Sequence, residues 1–154
     1  MMRAERLMQA LYFAYGSNLL VTRMCGRVPS ARPLGVASLR GYRITFDKRG
    51  RDGSGKANLR AEDGATVWGA LYELDASHWK FLDACEPGYT RFTVQVELGR
   101  AAPSEAQTYR SRLLTAEPVP FASYKRLMLD GAHEHGLPDD WIRFLLALPE
   151  KPDL

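Results

Sequence analysis

The chain has 154 residues, 45% hydrophobic and 25% charged, with 21 Lys plus Arg against 18 Asp plus Glu. That length gives one ordinary core and excludes a second full-sized domain, so 1–154 reads as a single domain. Two cysteines, Cys25 and Cys85, exclude a disulfide framework; with three histidines they support no closed zinc site, and the net charge of +3 falls short of a dedicated nucleic-acid binder.

Arg3 and Arg6 precede an apolar stretch, the outline of a signal peptide, but Gln9 interrupts it and no small-residue cleavage site follows, so export is not expected. No window reaches the roughly 20 apolar residues of a membrane span. A soluble, cytoplasmic protein is the expectation. Residues 11–15, aromatic and apolar and punctuated by Gly16-Ser17-Asn18, read as a buried strand ending in a tight turn. Residues 19–24 follow as a short helix N-capped by Ser17 or Asn18. Residues 41–46 and 67–74 are strand-like, with a polar, Gly-rich loop over 48–56 between them. Residues 75–83 read as a helix capped by Asp75, with Trp79 and Leu82 on one face and Pro87-Gly88 stopping it.

Over 90–98, Phe92, Val94, Val96 and Leu98 alternate with polar residues, the pattern of a half-buried antiparallel strand, and 106–114 is placed to pair with it. From Ser123 the period becomes helical, with Tyr124, Leu127, Met128 and Ala132 on one face, until Gly136 and Pro138. Asp139 or Asp140 caps a last helix over 141–148, and 1–9 and 149–154 are expected as loose termini. Consecutive strands without long intervening helices predict an α+β fold: a small, curved, mostly antiparallel sheet or β-barrel with flanking helices.

Three places carry candidate chemistry. Gly50-Arg51-Asp52-Gly53-Ser54-Gly55-Lys56 fits G-x-x-x-x-G-K, yet Ala57 follows where a phosphate loop needs Ser or Thr, and no helix opens there. It reads as a solvated loop, or as one that covers a site and attracts an anionic substrate. His133-Glu134-His135 places two histidines on opposite sides of a helix, so they cannot share a metal and read as surface polar residues; no metal is expected. The third is a constellation: Tyr15-Gly16-Ser17-Asn18-Leu19, Glu86 just past a helix, and Tyr124. A glycine at a strand end followed by a turn presents backbone N–H groups to one point, which suits a carboxylate. A glutamate partly desolvated at a cavity mouth has a raised pKa and becomes a usable proton shuttle.

The stretch Phe13-Ala14-Tyr15-Gly16-Ser17-Asn18-Leu19 resembles the opening strand and turn of the gamma-glutamylcyclotransferase family. The resemblance continues through Trp68-Gly69-Ala70-Leu71-Tyr72, through Leu82-Asp83-x-x-Glu86, and through Ser123-Tyr124-Lys125 with Gly131-Ala132-x-Glu134-x-Gly136-Leu137-Pro138. It implies a small β-barrel with helices outside, Glu86 as the acid/base glutamate, and Tyr15, Gly16, Ser17, Asn18 and Leu19 as the loop that grips a γ-glutamyl group. Tyr89 and Tyr124 would line the same pocket, and Arg112, where some members carry an aromatic, would stand on its far side.

The implied reaction converts a γ-glutamyl-amino acid or γ-glutamylamine into 5-oxoproline and a free amine, without a cofactor. A relative acting on γ-glutamyl-ε-lysine or on a γ-glutamyl-protected intermediate, and a binding module without chemistry, are the alternatives. The expected partner is a small γ-glutamyl molecule, with neither nucleic acid nor membrane, and a homodimer is left open. Residues 40–60 hold seven basic residues against Asp47 and Asp52, so the basic balance belongs to one segment, which would suit a substrate of net negative charge.

Overall fold

The computed structural model describes residues 9–153. Strand β1 (Gln9–Ala14) leads through a 3₁₀ turn (Ser17–Leu19) into helix α1 (Val21–Arg27). Strands β2 (Arg32–Arg49) and β3 (Gly55–Asp75) follow, then a 3₁₀ turn (Ala76–His78) and α2 (Trp79–Cys85). Strands β4 (Thr90–Val96) and β5 (Ser104–Arg110) precede α3 (Ala122–His135) and α4 (Asp139–Ala147). This is the expected α+β order. The strands expected over 41–46 and 67–74 are far longer, at 18 and 21 residues. Register shifts at Pro33/Gly35, Arg40/Tyr42 and Thr45/Lys48 break the period-two pattern that would have marked their full length.

The sheet runs β2-β3-β1-β5-β4, and every pairing is antiparallel except β1 with β5. Central β1 is covered on both faces, so Tyr12, Phe13 and Ala14 are buried in succession rather than alternately. The sheet curls until its two edges touch: Ser38 in β2 and Glu97, just past β4, exchange N–H···O bonds of 2.9 Å each way. A barrel needs a continuous ladder at that seam, and seven-residue β4 meets β2 at one bridge only. The barrel expectation is therefore corrected to a curved sheet that is not closed.

Helix α3 lies on the turn that follows β1. Gly131 makes this approach, since a Cβ there would stand 2.5 Å from Leu19 Cβ and 2.6 Å from Leu20 N. The His133-Glu134-His135 segment serves the same contact: Glu134 Oε1 accepts from Val21 N at 2.8 Å, and His135 Nε2 lies 2.6 Å from Leu19 O. Glu134 and His135, read from sequence as surface polar residues, thus hold the turn against the helix.

The caps also differ in part. Asp75 accepts from Ser77 N as expected, at 2.9 Å. Ser17 and Asn18 cap nothing, because α1 starts after Leu20 and their side chains turn towards the neighbouring cavity. Asp139 and Asp140 both lie inside the first turn of α4, near its positive end, with Pro138 in the cap position. Of the expected loose termini, residues 1–8 and 154 lie outside the described residues. Gln9 starts β1, and Lys151 is fixed by paired backbone bonds, Ala122 N to Lys151 O and Lys151 N to Pro120 O.

Candidate active site

Glu86 follows α2 directly, and its N–H closes the helix on Asp83 O at 3.1 Å. Its side chain is 15% exposed. Asn18 Nδ2 donates to Glu86 Oε1 at 2.9 Å and to the Tyr12 hydroxyl at 3.0 Å, and Arg27 Nη1 donates to Glu86 Oε1 and to Asn18 Oδ1, each at 3.1 Å. The turn after β1 and the end of α2, 68 residues apart, are thereby joined at one carboxylate. Burial raises the pKa of Glu86, against the lowering by Arg27, the Asn18 hydrogen bond, Arg23 and Lys48, and the net direction is up. That is the condition for a carboxylate to exchange a proton near neutral pH.

Around Glu86 lies a narrow cavity of about 30 Å³, lined by Gly16, Ser17, Asn18, Ala57 and five tyrosines. The Tyr15 hydroxyl donates to Tyr109 O at 2.6 Å, and the Tyr89 hydroxyl donates to Ala57 O at 2.6 Å. Ala57 N in turn donates to the Tyr124 hydroxyl at 3.2 Å. Burial raises the phenol pKa values of Tyr12, Tyr15, Tyr89 and Tyr109, and that of Tyr124 to about 12, so the ring of phenols stays protonated and can donate hydrogen bonds but not act as base. Among the described residues Glu86 is the one carboxylate lining this cavity. Ser17 and Asn18 stand at the open start of a 3₁₀ turn, where their N–H groups have no intrahelical acceptor. Gly16 keeps the cavity open, because a Cβ there would sit 3.1 Å from the Tyr124 hydroxyl and 3.2 Å from Ala57 Cβ.

The narrow cavity opens into a wider vestibule of about 280 Å³ that shares Ser17, Glu86, Tyr89 and Tyr124 with it. Arg23 and Arg27 of α1 form one wall, and Lys48, Arg51, Asp52 and Lys56 of the β2–β3 hairpin form the other. The G-x-x-x-x-G-K segment is the tip of that hairpin: Gly50 N donates to Ser54 O at 2.8 Å, and β3 begins at Gly55. It makes no phosphate loop, since a strand and not a helix leaves it.

The structure brings Tyr15, Gly16, Ser17, Asn18, Glu86, Tyr89 and Tyr124 to one cavity. It sets Leu19 outside, fully buried against α3, with its N–H donated to Gly16 O at 3.1 Å. Arg112 is also outside, in a separate pocket beside Thr90, Phe92 and Arg110. Sequence reasoning missed Tyr12, Tyr109, Arg23 and Arg27, whereas Lys48 belongs to the basic loop it singled out. Arg23 and Arg27 carried a signal, since they lie four residues apart just after the turn and so share a helix face. Tyr12 and Tyr109 sit in strands whose facing partners only the sheet order reveals.

Residues 66–145 match the AIG2-like family. The chain is 35% identical over 149 residues to the gamma-glutamylcyclotransferase of Homo sapiens, an alignment that covers 90% of this chain and 78% of that protein. It is 35% identical over 146 residues to the gamma-glutamylcyclotransferase of Bos taurus, with the same coverage. Among solved structures, a gamma-glutamyl cyclotransferase superimposes with a TM-score of 0.85 at 29% identity, covering 94% of this chain and 89% of the other.

Proposed function

The chain belongs to the gamma-glutamylcyclotransferase family, AIG2-like in its central and C-terminal part, and is an enzyme of that kind; from this premise we propose that it cyclises a γ-glutamyl-amino acid or γ-glutamylamine to 5-oxoproline through Glu86. The observation that carries the reading is the buried Glu86 carboxylate, raised in pKa, facing a cavity whose other titratable side chains are protonated phenols. In this reaction the substrate's α-nitrogen attacks its own γ-carbonyl carbon. A new C–N bond closes a five-membered ring, and the γ-amide C–N bond breaks to release the amine.

The nucleophile is tethered, so positioning supplies several kcal/mol of the barrier reduction, in the manner of intramolecular reactions. What the protein must add is proton transfer and charge stabilisation. Glu86 takes a proton from the attacking nitrogen and returns one to the departing nitrogen, base first and acid second. The Ser17 and Asn18 N–H groups and the phenols of Tyr12 and Tyr124, whose hydroxyls accept from Asn18 and Ala57 and keep their own protons free to donate, hold the glutamyl carboxylate and the oxyanion that forms at the γ-carbon. Cys85 lines the vestibule, but among the described residues no histidine lines either cavity to serve it as a base, so an acyl-enzyme has less support than direct cyclisation.

Glu86→Gln keeps the side chain's shape and removes the titratable group. The expected result is an unchanged fold by circular dichroism and no 5-oxoproline from γ-glutamylalanine. Substantial turnover by this variant would remove Glu86 from the mechanism.

A further inference from the structure

The vestibule holds more positive charge than the proposed reaction uses. Arg27 is paired with Glu86 at 3.1 Å, and Lys56 with Asp52 at 3.2 Å. Arg23, Lys48 and Arg51 line the same space, and among the described residues none of the three forms an ion pair. Arg23 spends one donor on Ser17 Oγ at 3.2 Å, and Arg51 is exposed at the hairpin tip.

Lys48 is the telling member. Its side chain belongs to a residue only 6% exposed, yet among the described residues its ammonium meets no carboxylate and rests 4.9 Å from the centre of the ring of Tyr89, a residue that lines both cavity and vestibule. Burying an ammonium without a counter-charge is costly, and burial together with Lys56, Arg51 and Arg49 lowers its pKa despite the attraction of Glu86. A site built this way is relieved by an arriving anion.

The leaving half of the substrate is the part that must lie in the vestibule, because the glutamyl half has to place its α-nitrogen and γ-carbonyl at Glu86 in the narrow cavity. An uncharged amine in that half would leave all three cations unanswered. An amino acid with an apolar side chain would answer one. We infer that the vestibule is a subsite for leaving groups with two carboxylates, so that this chain prefers γ-glutamyl conjugates of acidic amino acids. Lys48 and Arg51 on the hairpin and Arg23 on α1 surround the departing amine from two sides, and a dicarboxylate is the small group that can meet both walls at once.

The inference rests on the cyclotransferase reading, and one experiment separates the two. 5-Oxoproline release is measured from γ-glutamylglutamate, γ-glutamylalanine and γ-glutamylbutylamine, with the wild type and with Lys48→Met, Lys48→Arg and Arg51→Ala. For the wild type kcat/KM is expected to fall by about tenfold from the first substrate to the second, the scale of one partly desolvated charge pair, and further to the third. Arg51→Ala, on an exposed loop, should lower the ratio of the first to the second even if Lys48→Met does not fold, and Lys48→Arg should keep it. Equal turnover of γ-glutamylglutamate and γ-glutamylalanine, or a ratio unmoved in Arg51→Ala, would overturn the subsite while leaving the cyclotransferase in place. Turnover of none of the three substrates would instead overturn the cyclotransferase reading, and the subsite with it.

Discussion

Arg27 shows how much of the candidate chemistry is set by one neighbour. Its guanidinium is the strongest charge acting on Glu86 and holds the carboxylate pKa down against burial, which raises it. A base works only when deprotonated, so kcat/KM should rise with pH through the raised pKa of Glu86. Arg27→Met removes the lowering influence, and the acid limb of the pH profile of kcat/KM is expected to move to higher pH. A limb that stays in place or moves down would mean that another group titrates there. At Gly16 the argument is spatial. Gly16→Ala puts a methyl against the Tyr124 hydroxyl and Ala57, so kcat/KM is expected to fall by about tenfold, roughly 1.4 kcal/mol of transition-state stabilisation, with little change in Tm.

At the scale of elements, the site stands on the docking of α3 against the turn after β1. Glu134 and His135 satisfy backbone groups of that turn and of α1, and Gly131 lets the helix come close enough to do so. Gly131→Val drives a branched side chain into the Leu19 and Leu20 backbone. The expected cost is about 2 kcal/mol, of the kind produced by overpacking, measured as a lower denaturation midpoint. The opposite wall depends on the β2–β3 hairpin, which is tied to the segment after β5 by Arg49 N to Leu113 O and Thr115 N to Asp47 O, each at 2.8 Å. Buried Asn58 reinforces that tie through Asp47 Oδ1 and Ser111 O. Lys48 is therefore held by backbone on both sides, which is why its unpaired ammonium can stay where it is.

Across the whole molecule, six of the seven basic residues of 40–60 divide into two uses. Arg40, Arg43 and Arg60 are engaged by Glu97, Glu62 and Asp47, whereas Lys48, Arg51 and Lys56 border the vestibule. A cationic rim draws an anionic substrate through long-range attraction that salt screens, over about 8 Å at physiological ionic strength. KM for a γ-glutamyl dicarboxylate is expected to rise with added salt, with kcat little changed; a KM independent of salt would show that the rim takes no part in capture. No helix among the described residues is long and apolar enough to cross a membrane.

Local patterns were enough to read the order of elements, the strand-to-turn motif ending at Asn18, the Asp75 cap, the alternating β4 and the Tyr124 helix, because period and capping are written in neighbouring residues. The full length of β2 and β3 was not legible, since their bulges scramble the alternation, and neither was the single bridge at Ser38 and Glu97 where the edges of the curved sheet meet. By itself the sequence, through its family resemblance, offered Glu86, the segment 15–19 and the tyrosines as candidates for a carboxylate-driven cyclisation. Only the tertiary structure decided that Leu19 and Arg112 stand outside the cavity and that Tyr12 lines it while Arg23 and Arg27 line its vestibule. The reason is physical: a pKa, a cavity wall or an unanswered charge is a property of what surrounds a group, and at Glu86 the surroundings come from α1, the turn after β1 and the β2–β3 hairpin, which meet only when the sheet curls.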